Sequence, residues 1–216
     1  MKKLSLAIAT ASAMTAGLMG ATTAQAEVSF NAAVTSNYVW RGDSQNSDQT
    51  ALQGGVDYAH ESGLAAGVWT SSLDGDTEVD YYASFGGEAG AVSYEVGAIA
   101  YDYNADDADF VEVYAGLGVA GASLTYYQKV DDGNEVDADD DAAYVSLGYG
   151  LSLAEDLALD LAAGQTIDVD ENDSDADKYD LLISVTKSLP EFDFSLTATD
   201  KEDGENEFFI TVAKGF

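Results

Sequence analysis

The chain has 216 residues, no cysteine, one proline and 21 glycines, which suits one folded domain and excludes a disulfide scaffold or a thiolate metal site. Eight basic side chains stand against 40 acidic ones, a formal net charge of −32. Nucleic acid needs a basic footprint and is excluded as a partner, whereas cations are attracted and anions repelled.

Residues 1–26 read as a secretory signal peptide. Lys2 and Lys3 give the positive start, residues 4–19 a small-residue apolar run, and Ala24-Gln25-Ala26 a small-x-small cleavage site before Glu27. Ser and Thr interrupt the run and no stop-transfer flank follows, which argues against a spanning helix. Cleavage leaves 190 residues with six basic groups against 40 acidic ones, a net charge of −34. No later apolar stretch approaches the roughly 20 residues that a spanning helix needs.

From Glu27 onward the chain alternates with period two. Twelve strands are expected, beginning near Val28, Thr50, Leu64, Glu78, Val92, Phe110, Ala122, Ala142, Leu157, Tyr179, Phe192 and Phe208. Each runs for about 8 to 12 residues, enough for a tilted strand to cross a hydrocarbon layer. The connections alternate as well. Short ones fall around 60–63, 88–91, 118–121, 153–156 and 188–191, and longer acidic ones at 41–48, 73–77, 102–109, 131–141, 168–177 and 200–207. Short turns on one side and long loops on the other mark an all-β, antiparallel up-and-down transmembrane barrel with both termini in the periplasm.

The strands share one apolar and one polar or small face. The eighth sets Ala143, Val145, Leu147 and Tyr149 against Tyr144, Ser146, Gly148 and Gly150, and the eleventh sets Phe192, Phe194, Leu196 and Ala198 against Asp193, Ser195, Thr197 and Thr199. A soluble barrel turns the apolar face inward; a lipid-embedded one turns it outward. The aromatics decide between them. Tyr58, Phe85, Tyr94, Tyr149, Phe192 and Phe216 fall near the short turns, and Trp40, Tyr81, Tyr179 and Phe208 near the long loops, two belts suited to two membrane interfaces. In the terminal run FFITVAKGF, Phe208, Ile210, Val212 and Phe216 read as a C-terminal assembly signal for the outer-membrane assembly machinery.

On the polar face lie Asp57, Asp80, Glu95, Glu112, Asp160, Asp180 and Asp193, with Lys129 and Arg41 as the basic groups there. Isolated carboxylates in lipid or in a dry core carry a large desolvation cost, so a wet lumen is expected. They form either a cation-favouring lining or a plugged interior hydrogen-bonded with Ser, Thr and Tyr. Twelve strands lie between the roughly 8 that give a filled barrel and the 16 that give an open channel. Asn37 and Arg41 point to the lumen if Tyr38 and Trp40 face lipid. Arg41, the only arginine, then either pairs bidentately with Asp80 or Glu112 near the outer mouth or anchors the first loop.

The loop acids form the larger pool, with Asp139, Asp140, Asp141, Asp168 and Asp170 prominent. Asp168, Asp170 and Asn172 match the early offsets of a calcium loop, but Asp173 replaces its turn glycine and Tyr179 its bidentate Glu. Diffuse binding of Mg²⁺ or Ca²⁺ is expected there, bridging to lipopolysaccharide, rather than a specific metal site. No cofactor is expected. His60, the only histidine, reads as a turn residue, and no carboxylate spacing selects a hydrolytic pair, so no enzyme is expected.

TSNYVWRGDSQ at 35–45 and ALQGGVDYAHESGLAAGVW at 51–69 closely resemble the proteobacterial TorF-type porin family, domain label Gcw_chp. The likeness is most specific in SNYVWRG and in GG-x-DY-x-x-x-SG-x-x-x-GVW; beyond residue 70 it rests on strand pattern, length and Phe216. It implies an outer-membrane barrel with a channel role and no catalytic residues to carry over. The expectation is a monomeric or homo-oligomeric barrel in the outer membrane of a Gram-negative bacterium. It passes small hydrophilic solutes, cations first, through an acidic vestibule and lumen. The competing readings are a non-conducting structural or surface-binding barrel whose loops bind divalent cations, a membrane-embedded hydrolase, and a soluble periplasmic β-protein.

Overall fold

The computed structural model describes residues 26–104, 109–131, 143–167, 178–202 and 204–216. Residues 1–25 of the expected signal peptide lie outside these, as do Asp139, Asp140, Asp141, Asp168 and Asp170. In chain order the strands are β1 (Glu27–Thr35), β2 (Val39–Trp40), β3 (Asp43–Ser44), β4 (Ala51–Ala59), β5 (Leu64–Ser72), β6 (Thr77–Ala89) and β7 (Val92–Tyr103). They continue with β8 (Phe110–Val119), β9 (Ala122–Asp131), β10 (Ala143–Ala154), β11 (Leu157–Ile167), β12 (Tyr179–Ser188), β13 (Asp193–Lys201) and β14 (Glu207–Gly215). All but β2 and β3 form one closed antiparallel barrel of twelve strands, each starting within one residue of its expected position.

β1 closes the ring by pairing with β4 on one side and β14 on the other, Thr35 opposite Thr211 and Asn31 opposite Gly215. The Phe216 amide donates to the Phe30 carbonyl at 2.8 Å and completes the seam. A closed ring leaves no strand edge, which is the condition for a sheet to sit in hydrocarbon.

The side-chain period then sorts the faces. On β13, Leu196 is 60% exposed while its neighbour Thr197 is 1% exposed. Val56, Val96, Leu117, Leu147, Ile183 and Ile210 all stand on the outside, and Thr125, Ser184, Thr197 and Thr211 are buried within. The barrel is greasy outside and polar inside, the inverse of a water-soluble one. Of the aromatic belts, Tyr58, Phe85, Tyr94, Tyr149, Phe192 and Phe216 are exposed toward the short-turn end, and Tyr81, Tyr179 and Phe208 toward the long-loop end.

Trp40 does not belong to them. β1 ends at Thr35, five residues short of where period two alone would carry it. Ser36 makes the last seam bonds, donating its amide to the Ile210 carbonyl at 2.9 Å and accepting the Ile210 amide on Oγ at 3.0 Å. Residues 36–50 then fold into the barrel as the β2–β3 hairpin, so Tyr38 is 2% exposed and Trp40 packs against the cluster of Tyr38, Ala51 and Trp69. Tyr38 and Trp40 therefore face the lumen and not lipid. The strand pattern continued into a segment whose aromatics find a drier home inside than at the interface.

Inward-facing tyrosines lie across glycines of the next strand. Tyr82 on β6 lies over Gly67 on β5 and reaches Asp57 on β4; Tyr144 on β10 lies over Gly164 on β11 and reaches Asp180 on β12. Tyr114 covers Gly97 in the same way and bonds to Glu95 at 2.5 Å. A Cβ at Gly97 would come within 2.7 Å of the Tyr114 ring, so only glycine leaves room for it.

Two outcomes check this architecture. A spin label at Leu147 should be reached by lipid-soluble quenchers and one at Ser146 by water-soluble ones; the reverse pattern would invert the barrel. Gly97→Ala should cost about 1–3 kcal/mol in urea unfolding of the refolded protein, by overpacking, and the loss should shrink when Tyr114 is also replaced by Ala.

Candidate functional site

The hairpin is the feature that shapes the lumen. Its two-residue turn is Arg41-Gly42, with φ of 48° and 84°, between paired Trp40 and Asp43. Positive φ at both positions is the turn that matches strand twist, and it usually recruits Asn-Gly. An arginine held there is strained by about 1–3 kcal/mol, which the surroundings must offset.

The offset is visible. The Arg41 guanidinium donates to both oxygens of Glu112, at 2.9 and 2.8 Å, and Tyr101 donates its hydroxyl to the same carboxylate at 3.1 Å. The guanidinium lies over Trp40 at 4.2 Å and Tyr144 at 4.1 Å, ring faces that attract a cation. Of the two partners open in the sequence, Glu112 is the one engaged; Asp80 is not. At the tip, Lys201 pairs with Asp43, and Gly42 is pressed against Lys201 and Asp180, where a Cβ would meet their Cβ atoms at 2.9 and 3.1 Å. The base is tied by Asn37, whose Nδ2 donates to Asp48 at 2.8 Å and to Glu207 at 3.1 Å, and by Asn46, which accepts the Tyr38 amide at 3.0 Å.

The lumen carboxylates fall into two tiers. The outer tier, beneath and around the hairpin, is Glu78, Asp80, Glu112 and Asp180, all buried. Tyr38 of the hairpin donates to Glu78 at 3.2 Å and Tyr144 to Asp180 at 2.8 Å. The basic groups of the lumen belong to this tier: Arg41, Lys201, and Lys129, which stands 5.8 Å from the Phe110 ring centre opposite Glu112 in the strand register.

The inner tier, near the short turns, is Asp57, Glu95, Asp160 and Asp193. Asp57 accepts from Asn31 at 3.2 Å and from Tyr82, and Glu95 accepts from Tyr114. Asp160 is exposed to the lumen beside Gly150, and Asp193 is half-buried at the start of β13. Lys187 and Lys214, the basic side chains at this end among the described residues, pair with the turn acids Asp156 at 2.5 Å and Glu191 at 2.9 Å. No described basic side chain reaches the inner tier. Outside the lumen, Phe208, Ile210 and Val212 lie on the outward face of β14 with Phe216 beyond it. His60 bonds to Ser62 at 2.8 Å in its turn.

Sequence reasoning missed several of these groups. Glu78 sits two residues before Asp80 on the same face, a placement the alternation would have given. Lys201 belongs to the lumen and not to a loop, because β13 runs to that residue; the basic groups on the polar face are thus three rather than two. The tyrosines Tyr82, Tyr101, Tyr114, Tyr127 and Tyr144 form an inward group packed one against the next, with Tyr114 and Tyr127 centred 5.6 Å apart and Tyr127 and Tyr144 6.0 Å.

Among the solved structures that resemble this one are two of a porin. The KdgM porin superposes with a TM-score of 0.64 at 7% identity, covering 87% of this chain and 99% of that one. The KdgM porin in complex with disordered oligogalacturonate gives 0.59 at 6%, covering 88% and 98%. At such identity the likeness is one of fold, a closed porin-type barrel of matching size. Among curated proteins none matches the chain. Residues 20–215 match the family model described as bacterial protein of unknown function (Gcw_chp), and the chain belongs to that family.

Proposed function

We propose that this protein is a porin-like channel of a Gram-negative outer membrane, passing small hydrophilic solutes with a preference for cations and catalysing no reaction. The observation that carries the reading is the inner tier: four inward carboxylates that no described basic side chain reaches. A cation entering there exchanges its water for a field of one sign, while an anion meets that field as a barrier. The abundant loop acids add an attracting vestibule outside. The porin fold of the two structural neighbours supports the channel role. The oligogalacturonate held by one of those neighbours is a property of that protein; the net charge of this chain argues for cations.

The hairpin sets the constriction in this reading. It occupies the outer lumen, and the Arg41–Glu112 pair with its aromatic walls holds it there. A second reading is favoured by one observation, the complete burial of Asn46, Glu78, Asp80 and Ser71 around the hairpin: the barrel is closed and serves as a structural or surface-binding element.

In planar bilayers the reconstituted protein should give reversal potentials favouring potassium over chloride. That preference should fade toward high salt, where the screening length is about 3 Å at 1 M. A chloride preference would falsify the mechanism, and a folded sample without conductance selects the closed barrel. Arg41→Ala should lower stability by about 3–5 kcal/mol, because it leaves Glu112 buried and uncompensated. The same substitution should raise single-channel conductance and noise by freeing the hairpin; unchanged conductance would remove the hairpin from the constriction.

A further inference from the structure

The pair Glu78 and Asp80 has an electrostatic problem that no ion pair among the described residues solves. Both lie on the inward face of β6, two residues apart, so their carboxyl groups leave the strand in the same direction from Cα atoms about 7 Å apart. Asp80 is 0% exposed and Glu78 2%. Among the described residues, both oxygens of Asp80 and Oε2 of Glu78 lack a hydrogen-bond donor. None of the ion pairs among the described residues involves either side chain, and the Arg41 guanidinium is taken up by both oxygens of Glu112. Two buried carboxylates with three unpartnered oxygens are among the costliest arrangements a protein can hold unless a proton or a cation sits between them.

We propose that Glu78 and Asp80 bind a hard divalent cation of the calcium class beneath the hairpin. The donors offered are oxygens: the two carboxylates, with the Tyr38 hydroxyl on Glu78. Oxygen-only sets suit Ca²⁺ or Mg²⁺ over the transition metals, and two carboxylates balance a double charge. Calcium accepts irregular sets completed by water more readily than magnesium does. The site also couples two elements. Tyr38 belongs to the hairpin segment and Glu78 to the wall, so a cation on Glu78 braces the contact that seats the hairpin. Trp69 stands opposite Asp80 on β5, Tyr101 opposite it on β7, and Tyr103 opposite Glu78. The inference does not depend on whether the barrel conducts.

The chain's two tryptophans, Trp40 and Trp69, both flank this place, which gives the test a local reporter. Terbium added to the refolded barrel in detergent micelles and excited through tryptophan should show saturable emission from a single ion, displaced by calcium. Asp80→Asn and Glu78→Gln are near-isosteric, and each should weaken that binding by about tenfold or more; heat-modifiable gel migration checks that each has folded. Calcium should also raise the thermal midpoint of the wild type and not that of the double variant. Emission of equal affinity in the variants overturns the proposal and places the ion on loop acids. Absence of the tryptophan-sensitised step in the wild type overturns it too, and leaves the pair neutralised by a shared proton. Reversal potentials are read separately, so loss of the ion site and loss of cation preference are distinguishable results.

Discussion

A peptide group inside hydrocarbon has no water to bond to, and a sheet satisfies all of its peptide groups only when its last strand returns to its first. The β1–β14 seam, from Thr35 opposite Thr211 to the Phe216–Phe30 bond, is therefore the contact on which the other features depend. Once the ring is closed, the alternation of side chains fixes which residues see lipid and which see the lumen. A slip of one residue in β13 would turn Leu196 inward and Thr197 outward.

Closure creates a second constraint, since a twelve-stranded ring encloses more space than its own inward side chains fill. This chain fills part of it in two ways. Tyrosines on one strand lie over glycines of a neighbouring strand and end on an acid of that strand or of the one beyond, which pins Glu95, Asp57 and Asp180 by their hydroxyl donors. The 36–50 segment fills the outer half, bringing its own arginine to Glu112 and its own tyrosine to Glu78. The lumen is thus densely bonded at the loop end and sparser at the turn end, where Asp160 remains exposed.

That asymmetry is the basis of the proposed channel. Where basic groups accompany the acids, the lumen is packed and locked; where they are missing, the field is uncompensated. The strained Arg41 turn belongs to the same logic. A residue at positive φ that is not glycine or asparagine persists when what its side chain gains exceeds the backbone cost, and here the gain is a bidentate pair between two aromatic faces.

The barrel was legible in the amino-acid order because lipid and lumen impose a period of two. That period shows in residues such as Leu147 beside Ser146 without knowledge of any partner strand. The inward placement of Asp57, Glu95, Asp160 and Asp193 follows from the same parity. The path of residues 36–50 was not legible. Tyr38, Trp40 and Arg41 alternate like strand residues, and parity cannot say whether such a segment continues up the wall or turns inside. That choice was made by Glu112, Tyr144, Trp69 and Lys201, which are distant in sequence and adjacent only once the ring has closed. The chain by itself determined which side of each strand meets lipid, since that is a local and periodic property. Only the tertiary structure decided what fills the lumen, because filling a cavity depends on the shapes and charges that all twelve strands bring to it together.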